Sequence, residues 1–529
     1  MSFASAQFLA FFAVLFVLYY LIPKRHQWKL LLVGSVFFYF FAGWYCLVYI
    51  GVTAVTTWLA ARKIGALQAR QDAWLREHRE ELNKEARKAR KAADKKVRWR
   101  WALGCMLLNF GILAVVKYTD FVLGSVNGVL SAAGAGTQLP LANLVLPMGI
   151  SFYTFQSMGY LIDVYWGKYP PERSLGRFAL FVTFFPQLIQ GPISRYNDLS
   201  QTLYAEHRWD SRQIAMGGMR ALWGLGKKLI IADRLAIPLR ELTAAPEEYA
   251  GLYVLAVMFL YAVQLYADFT GGIDITIGVA QMLGVKVTEN FERPFFSKNI
   301  AEYWRRWHIT MGTWFRDYVF YPLSVSKGVL KLHQKARARL GEAGKRVSVY
   351  LCTMILWFVT GLWHGASWNF IVWGLLNGVV ILVSQECEPL YARFHGRFPG
   401  LKGTFGYRLF EVGRTFVLMS AIRVLDVYRD VPLTFRQVGT IFTSFRPSVL
   451  WDGSFLELGL SAGDWLIAAL GAAALVVCSL LGRKEPARER LVRRPGLAWG
   501  GCALLVVCMV IFGVYGIGFD ATQFIYNQF

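Results

Sequence analysis

The sequence predicts an all-α, polytopic integral membrane protein. Hydrophobic residues make up 55% of its 529 residues and aromatic residues 16%, which is more apolar surface than one water-soluble core buries. Apolar runs long enough to cross a ~30 Å hydrocarbon layer as helices recur along the chain, and their continuity favours helices over a barrel. We expect roughly ten to twelve spans. The runs are 8–22, 28–61, 101–130, 144–165, 177–193, 214–232, 251–283, 347–383, 409–428, 462–481 and 497–518.

The run 28–61 is too long for a single span. As one straight helix it would extend about 51 Å, well beyond the thickness of the hydrocarbon layer. We therefore expect it to fold into a hairpin near Gly43. Such a hairpin leaves the N-terminus on the outer side of the membrane and places Lys24, Arg25 and Lys29 on the cytoplasmic side.

The formal net charge of +23 is concentrated between the apolar runs. Lys and Arg outnumber Asp and Glu by fourteen to six in 62–100, by seven to one in 327–346, and by six to two in 483–494. Basic clusters between spans are typical of cytoplasmic loops, so the charge indicates topology and not nucleic-acid binding. We expect one membrane-embedded domain, 1–529, with cytoplasmic excursions at these three places. Within the first, 68–100 should form a solvated helix.

The segment GLWHGASWNF, residues 361–370, places His364 inside the apolar run 347–383. A titratable ring is costly to hold in a lipid-embedded segment, so it usually faces a cavity or makes a specific hydrogen bond. Residue type alone leaves both interpretations of His364 open: a catalytic group, or a hydrogen bond to a neighbouring helix.

A second unusual segment spans 289–322 and mixes charges with many aromatic residues. It is too polar to face lipid and too aromatic for a solvated loop. The pattern predicts a re-entrant or cavity-lining helix pair that other parts of the protein cover. It contains His308, which in a continuous helix would share a face with four residues. These are Trp304, Met311, Gly312 and Phe315.

Two imidazoles on separate elements, His308 and His364, could meet in one pocket. An alcohol is a poor nucleophile at neutral pH, and a neutral imidazole can take its proton as it attacks a thioester. The second ring, or an asparagine, could orient the first or stabilise charge on the tetrahedral intermediate. For His308 an ordinary position at a headgroup boundary is the alternative.

Other chemistries lack support in the sequence. There is no HExxH motif and no tight His/Asp/Glu cluster around either ring, so no metal site is expected. Walker A, GxGxxG followed by an acidic residue, and GxSxG are absent. The seven cysteines show no CxxC spacing and are interpreted as small core residues.

Three carboxylates, Asp163, Asp268 and Asp274, lie within apolar stretches. Each would be expensive facing lipid. For the pair Asp268 and Asp274, a proton relay in a transporter is one interpretation, and a buried network between helices is the interpretation we favour. Gly271 and Gly272 suggest close helix packing or an unwound turn.

Taken together, five strings resemble the membrane-bound O-acyltransferase family. They are LPMGISFYTFQSMGYLIDVY (146–165), FFPQLIQGPI (184–193), YADFTGGIDITIG (266–278), NFERPFFSKNIAEYWRRWHITMGTWFRDYVFYPL (290–323) and GLWHGASWNFIVWGLLNG (361–378). The resemblance covers residues 1–428 and the ending FIYNQF. It points to the bacterial branch that acylates exported polymers, which includes alginate, cellulose and peptidoglycan O-acetylation and D-alanyl transfer to teichoic acid.

The resemblance implies a ring of tilted transmembrane helices around a thinned centre, with re-entrant helices. His364 matches the near-invariant intramembrane histidine of the family, and His308 matches the second active-site position. An acyl donor, acetyl-CoA or an acyl carrier protein thioester, would reach His364 from the cytoplasm, and an acceptor from outside. No bound cofactor is implied. The location implied is the bacterial cytoplasmic (inner) membrane.

We therefore expect an O-acyltransferase that moves an acyl group, acetyl in the first instance, to hydroxyls of an exported polysaccharide or to an acetylesterase-like partner protein. His364 is assigned as general base, with an acyl-imidazole intermediate left open, and His308 assists it. Tryptophans would exclude water, and arginines with 327–346 would attract a phosphate-bearing donor. The residues assigned to substrate are Trp304, Arg305, Arg306, Trp307, Trp363 and Asn369. The alternatives are a transporter that makes no bonds, and a scaffold for a polysaccharide export complex.

Overall fold

A computed structural model describes residues 2–188, 190–483 and 485–515. Helices dominate this part of the chain, and it contains no β-strand. Among the described residues seven helices are long and apolar enough to cross a membrane, and Ala6–Leu21 is a shorter apolar helix. The predicted all-α, polytopic membrane fold is confirmed. The ending FIYNQF, which is part of the family resemblance, lies outside the described residues.

The chain divides into two compact units. The first comprises Met1–Ser211 and Leu283–Thr288, and the second Arg212–Met282 and Glu289–Phe529. The prediction of one domain over 1–529 stays a prediction. The helices of the first unit are α1 Ala6–Leu21, α2 Gln27–Phe40, α3 Trp44–Glu77, α4 Lys84–Ala132, α5 Ile150–Trp166, α6 Leu175–Thr183, α7 Phe185–Leu188 and α8 Tyr196–Leu203.

The second unit contains the remaining helices, the first of which begins one residue before the boundary. They are α9 Ser211–Gly226, α10 Asp233–Ala244, α11 Leu252–Met282, α12 Ile300–Arg306, α13 Ile309–Phe315, α14 Tyr321–Ser324, α15 Lys327–Leu340, α16 Gly344–His364, α17 Trp368–Glu386, α18 Glu388–Arg397, α19 Phe405–Ile422, α20 Val424–Tyr428, α21 Val431–Thr443, α22 Ala462–Leu481, α23 Ala487–Val492 and α24 Pro495–Phe512.

The predicted hairpin at Gly43 is present. Gly43 precedes α3 with a φ of +124°, a backbone conformation that glycine adopts far more readily than other residues. Beyond the apolar run, α3 continues into the polar segment, and α4 begins there at Lys84 with the Asn83 side chain capping the Ala86 amide. The segment 68–100 is therefore helical as predicted, but it is the extension of two long helices and not a separate element.

Glycines bring α16 and α17 into backbone contact. A Cβ on Gly361 would lie 2.3 Å from the carbonyl oxygen of Phe370, and one on Gly374 would lie 2.3 Å from that of Trp357. The chain leaves α16 after His364 with Gly365 in extended conformation. The single apolar run 347–383 thus forms a tight pair of helices, and His364 lies at the end of the first.

A second close approach joins α9 to α11. Cβ atoms on Gly217 and Gly224 would lie 2.6 Å and 2.5 Å from the carbonyl oxygens of Gly278 and Gly271. In lipid the hydrophobic effect does not drive helices together, so helix association depends on close packing. Small residues at helix crossings allow the backbones to approach closely. Close packing at Gly271, one of the two predicted alternatives, is what the structure shows.

Candidate active site

His308 lies at a break between two short helices. It is fully buried and adopts a left-handed backbone conformation, with φ of +48°, between α12 and α13. Each of these helices has seven residues, about 10 Å of length, which is too short to span a membrane. The predicted pair of covered helices is present. The prediction that His308 sits within a helix, on a face with Trp304 and Met311, is wrong.

Asn290 explains the break. Its backbone carbonyl accepts from the Ile309 amide at 2.9 Å, and its side-chain oxygen accepts from the amide and the hydroxyl of Thr310 at 3.0 and 2.9 Å. The segment before α12 thereby satisfies backbone groups that a continuous helix would have satisfied internally. A residue distant in sequence ends the helix, so local periodicity does not reveal the break.

The same Asn290 fixes the tautomer of His308. Nδ1 lies 3.3 Å from the Asn290 side-chain oxygen, which already accepts two hydrogen bonds. A neutral imidazole can only donate to that oxygen, so Nδ1 carries the proton and Nε2 is the basic nitrogen. Burial, together with the guanidinium of Arg423, lowers the pKa of His308 to about 3. The ring is therefore neutral near pH 7.

His364 is half-buried and lines a small cavity in the second unit. The cavity volume is about 20 Å³, room for one water-sized group. Three of its residues recur every fourth position on one face of α11, and the others come from the α12–α13 break, α16, α17 and the junction of α19 with α20. The lining residues are Tyr261, Leu265, Phe269, Trp307, His364, Phe370, Trp373, Arg423 and Asp426.

Trp363 lies between the two histidines. Its ring centroid is 5.0 Å from that of His364 and 5.9 Å from that of His308. Phe269, which lines the cavity, also packs edge-on against His308 at 5.0 Å. The structure therefore places both predicted histidines in contact with one buried indole.

The remaining predicted site residues are placed differently. Trp307 lines the cavity, as expected for a residue that excludes water. Trp304 instead donates to the Asn377 side chain at 3.2 Å, and Asn369 donates to the carbonyl of Leu425 at 3.1 Å. Arg306 pairs with Glu302 at 2.6 Å, and Arg305 is exposed. Their assignment to substrate stays a prediction.

Two charged residues of the cavity wall escaped the sequence analysis. Arg423 and Asp426 form an ion pair of 3.2 Å, and both are buried. The signal that could have found them is a pair of opposite charges three residues apart inside the apolar run 409–428, since intramembrane charges usually face a cavity.

A second cavity, of about 150 Å³, adjoins a charged network in the same unit. Asp274 accepts from Lys227 at 2.6 Å and from Arg220 at 2.8 Å, while Arg220 also binds Glu289. Asp268 pairs with Lys228 at 2.7 Å. Each of these carboxylates is matched by a cation on the neighbouring helical segment, which favours the predicted interhelical network over a proton relay.

Together the fold and the site define a multi-pass helical membrane protein in which the His364 imidazole lines a small cavity and the His308 imidazole packs against Phe269 on the wall of that cavity. The sequence profile of the membrane-bound O-acyltransferase family matches residues 172–336, a range that includes His308. Together with probable alginate O-acetylases that are 34% identical and are covered over 69% and 76% of their length, this match shows that the chain belongs to the membrane-bound O-acyltransferase family. It is an acyltransferase, as the sequence analysis predicted.

Several curated relatives share much of the chain. A probable alginate O-acetylase of Pseudomonas putida is 34% identical over 78% of this chain and 76% of its own length. One from Azotobacter vinelandii is 34% identical over 73% of this chain and 69% of its own length. One from Pseudomonas syringae is 35% identical over 73% of this chain and 66% of its own length. A peptidoglycan O-acetyltransferase of Helicobacter pylori is 31% identical over 56% of this chain and 58% of its own length. The branch proposed from the motifs is confirmed.

Proposed function

We propose that this chain transfers an acyl group, acetyl in the first instance, from a thioester donor to hydroxyls of an exported polysaccharide, directly or through an extracytoplasmic acetylesterase-like partner. The names of the relatives, which act on alginate and peptidoglycan, support the class of acceptor. The observation that carries the residue assignment is the position of His364 on the wall of a buried cavity, one indole away from His308.

His364 acts as the general base in this proposal. A hydroxyl becomes a competent nucleophile when a neutral imidazole takes its proton during attack on the thioester carbonyl. The C–S bond then breaks, and the imidazolium returns the proton to the thiolate. The rings of Trp363, Trp373 and Phe370 around His364 keep bulk water from the reacting atoms.

His308 assists through its contact with Trp363. Its proton is held on Nδ1 by Asn290, and the ring has no solvent exposure. It therefore cannot exchange protons readily with water, and its contribution is to position Phe269 on the cavity wall and Trp363 beside His364. We assign it as a positioning residue.

The donor approaches from the cytoplasm, and the chain resides in the bacterial inner membrane. The basic segments 62–100, 327–346 and 483–494 support this orientation, because cytoplasmic loops carry an excess of Lys and Arg. A donor with phosphate groups, acetyl-CoA or an acyl carrier protein thioester, would be attracted to the same face.

The test is replacement of His364 by Ala, with His395→Ala as the matched control. His395 lies on α18, where it contacts the Tyr407 hydroxyl at 2.9 Å, and it is not part of the cavity. Polymer acylation in cells, normalised to the amount of protein in the membrane, should be lost with His364→Ala and retained with the control. Unchanged acylation with His364→Ala would remove the assignment.

A further inference from the structure

A buried cation shares the cavity with His364. Arg423 directly follows α19 and is only 6% exposed. Its guanidinium carbon lies 4.4 Å from the ring centroid of Trp307, and its Nη1 lies 3.2 Å from Asp426 Oδ2. Trp307 and Asp426 are themselves cavity residues. The cation is therefore held at the cavity wall from two sides.

A purely structural role explains this arrangement poorly. Burying an ion pair costs desolvation energy that the mutual attraction repays only with good geometry, and apolar side chains of similar volume often stabilise a fold equally well. One donor of Arg423, Nε–H, is buried and has no hydrogen-bond partner among the described residues. A spare donor on a residue that lines a cavity suits a ligand that carries negative charge.

We propose that Arg423 stabilises the negative charge that develops on the thioester carbonyl oxygen during acyl transfer, an inference that rests on the proposed function. The hydroxyl oxygen bonds to the carbonyl carbon, and its proton passes to His364. The carbonyl π electrons move onto the carbonyl oxygen, which then accepts a hydrogen bond from the guanidinium. When the C=O bond re-forms, the C–S bond breaks and the thiolate takes the proton from His364. Asp426 and Trp307 position the guanidinium.

The dimensions of the cavity fit this role. A space of about 20 Å³ holds one water-sized group, which is the size of a carbonyl oxygen. A fixed cation in an enclosed, weakly polar site stabilises developing charge far more than the same cation would in water. The neighbouring His308 is neutral and does not compete for the same charge.

The experiment compares kcat and the donor KM of purified protein with acetyl-CoA as donor. Arg423→Lys keeps the charge and can keep the pair with Asp426, but loses the planar array of donors. Arg423→Met combined with Asp426→Asn removes the charge without leaving a buried carboxylate unpaired. We expect kcat to fall about 10-fold for the first variant and about 100-fold for the second, with the donor KM changed less than about threefold.

The matched control is the pair Arg234 and Asp464, which has the same 3.2 Å separation in the same unit but is not part of the cavity. Arg234→Met combined with Asp464→Asn should leave kcat within about threefold of the parent. Thermal unfolding of all variants in the same detergent shows that the compared proteins are folded.

The inference is overturned if folded Arg423→Lys and the double variant keep the parent kcat, or if their whole effect lies in KM. It is also overturned if the Arg234 control loses kcat to the same extent. These outcomes are distinct from failure of the proposed function, since that failure appears as retained acyl transfer in His364→Ala.

Discussion

Gly361 meets Phe370 backbone to backbone, since a Cβ on Gly361 would lie 2.3 Å from the Phe370 carbonyl oxygen. This contact sets the spacing of α16 and α17, and His364 follows three residues later on α16 while Phe370 and Trp373 line the cavity from α17. The position of the proposed base therefore depends on a glycine one helical turn away.

Replacing Gly361 with Val should push the two helices apart. Overpacking a well-packed contact costs about 1–3 kcal/mol, and displacement of His364 should lower acyl transfer at least about 10-fold. The measurements are thermal unfolding in detergent and the initial rate per folded protein. Gly413→Val on α19 is the control, because nothing lies within 4 Å of a Cβ there. A folded Gly361→Val variant with the parent rate would contradict the prediction.

Replacing Asn290 with Leu should damage both stability and activity. The change removes the acceptor for the Thr310 amide, the Thr310 hydroxyl and His308 Nδ1, and a buried donor left unsatisfied costs about 1–3 kcal/mol. Asn127→Leu, which removes solvent-exposed hydrogen bonds to the backbone of Leu139, is the control. Equal unfolding temperatures for the two variants would argue against the role given to Asn290.

Replacing Asp274 with Asn should destabilise the protein without removing its chemistry. The change leaves Lys227 and Arg220 short of a carboxylate, and breaking a buried ion pair costs about 3–5 kcal/mol. Adding Lys227→Met to Asp274→Asn should recover part of that loss. The measurements are unfolding temperature and turnover per folded molecule. If turnover disappears while stability is kept, the network takes part in transport or catalysis and our interpretation fails.

Protonation of His308 should lower the stability of the protein at acidic pH. Its pKa in the folded protein is about 3, below the ordinary value of 6.5, so the unfolded chain binds more protons between these two values. The contribution of neutral His308 to the free energy of unfolding is therefore fully present above pH 6.5. It is lost as the pH falls towards 3, by about 1.4 kcal/mol per pH unit for one proton.

His308→Asn should flatten that slope, and it suits the site because asparagine tolerates the left-handed backbone that His308 adopts. Thermal unfolding at pH 7.5 and pH 5 should separate the parent from this variant, with His395→Asn as control. Parallel pH profiles for parent and His308→Asn would refute a depressed pKa at this position.

Much of the fold is local in origin, which is why the sequence predicts it. Apolar runs mark the helices, and Gly43 marks the hairpin because only a flexible backbone turns there. The two histidines stand out because titratable rings are rare in such segments. Each of these signals lies within a few residues of the feature it predicts.

What the sequence did not predict depends on contacts between distant segments. The break at His308 requires Asn290, and the cavity requires Arg423 and Asp426, which come from a different part of the chain. Trp304 and Trp307 have the same residue type and neighbouring positions, yet only Trp307 lines the cavity, because the helix ends between them. Contacts between distant segments of this kind produce no periodic pattern in the amino-acid sequence.

The chamber beside His364 has a volume of about 20 Å³. A base that activates a sugar hydroxyl would activate water equally well, and a thioester is readily hydrolysed. Close packing around His364 leaves no room for a water molecule once the donor carbonyl and the acceptor hydroxyl are both bound. The narrowness of the chamber thus favours esterification over futile loss of the activated acyl group, and enlarging it should turn the protein towards a thioesterase.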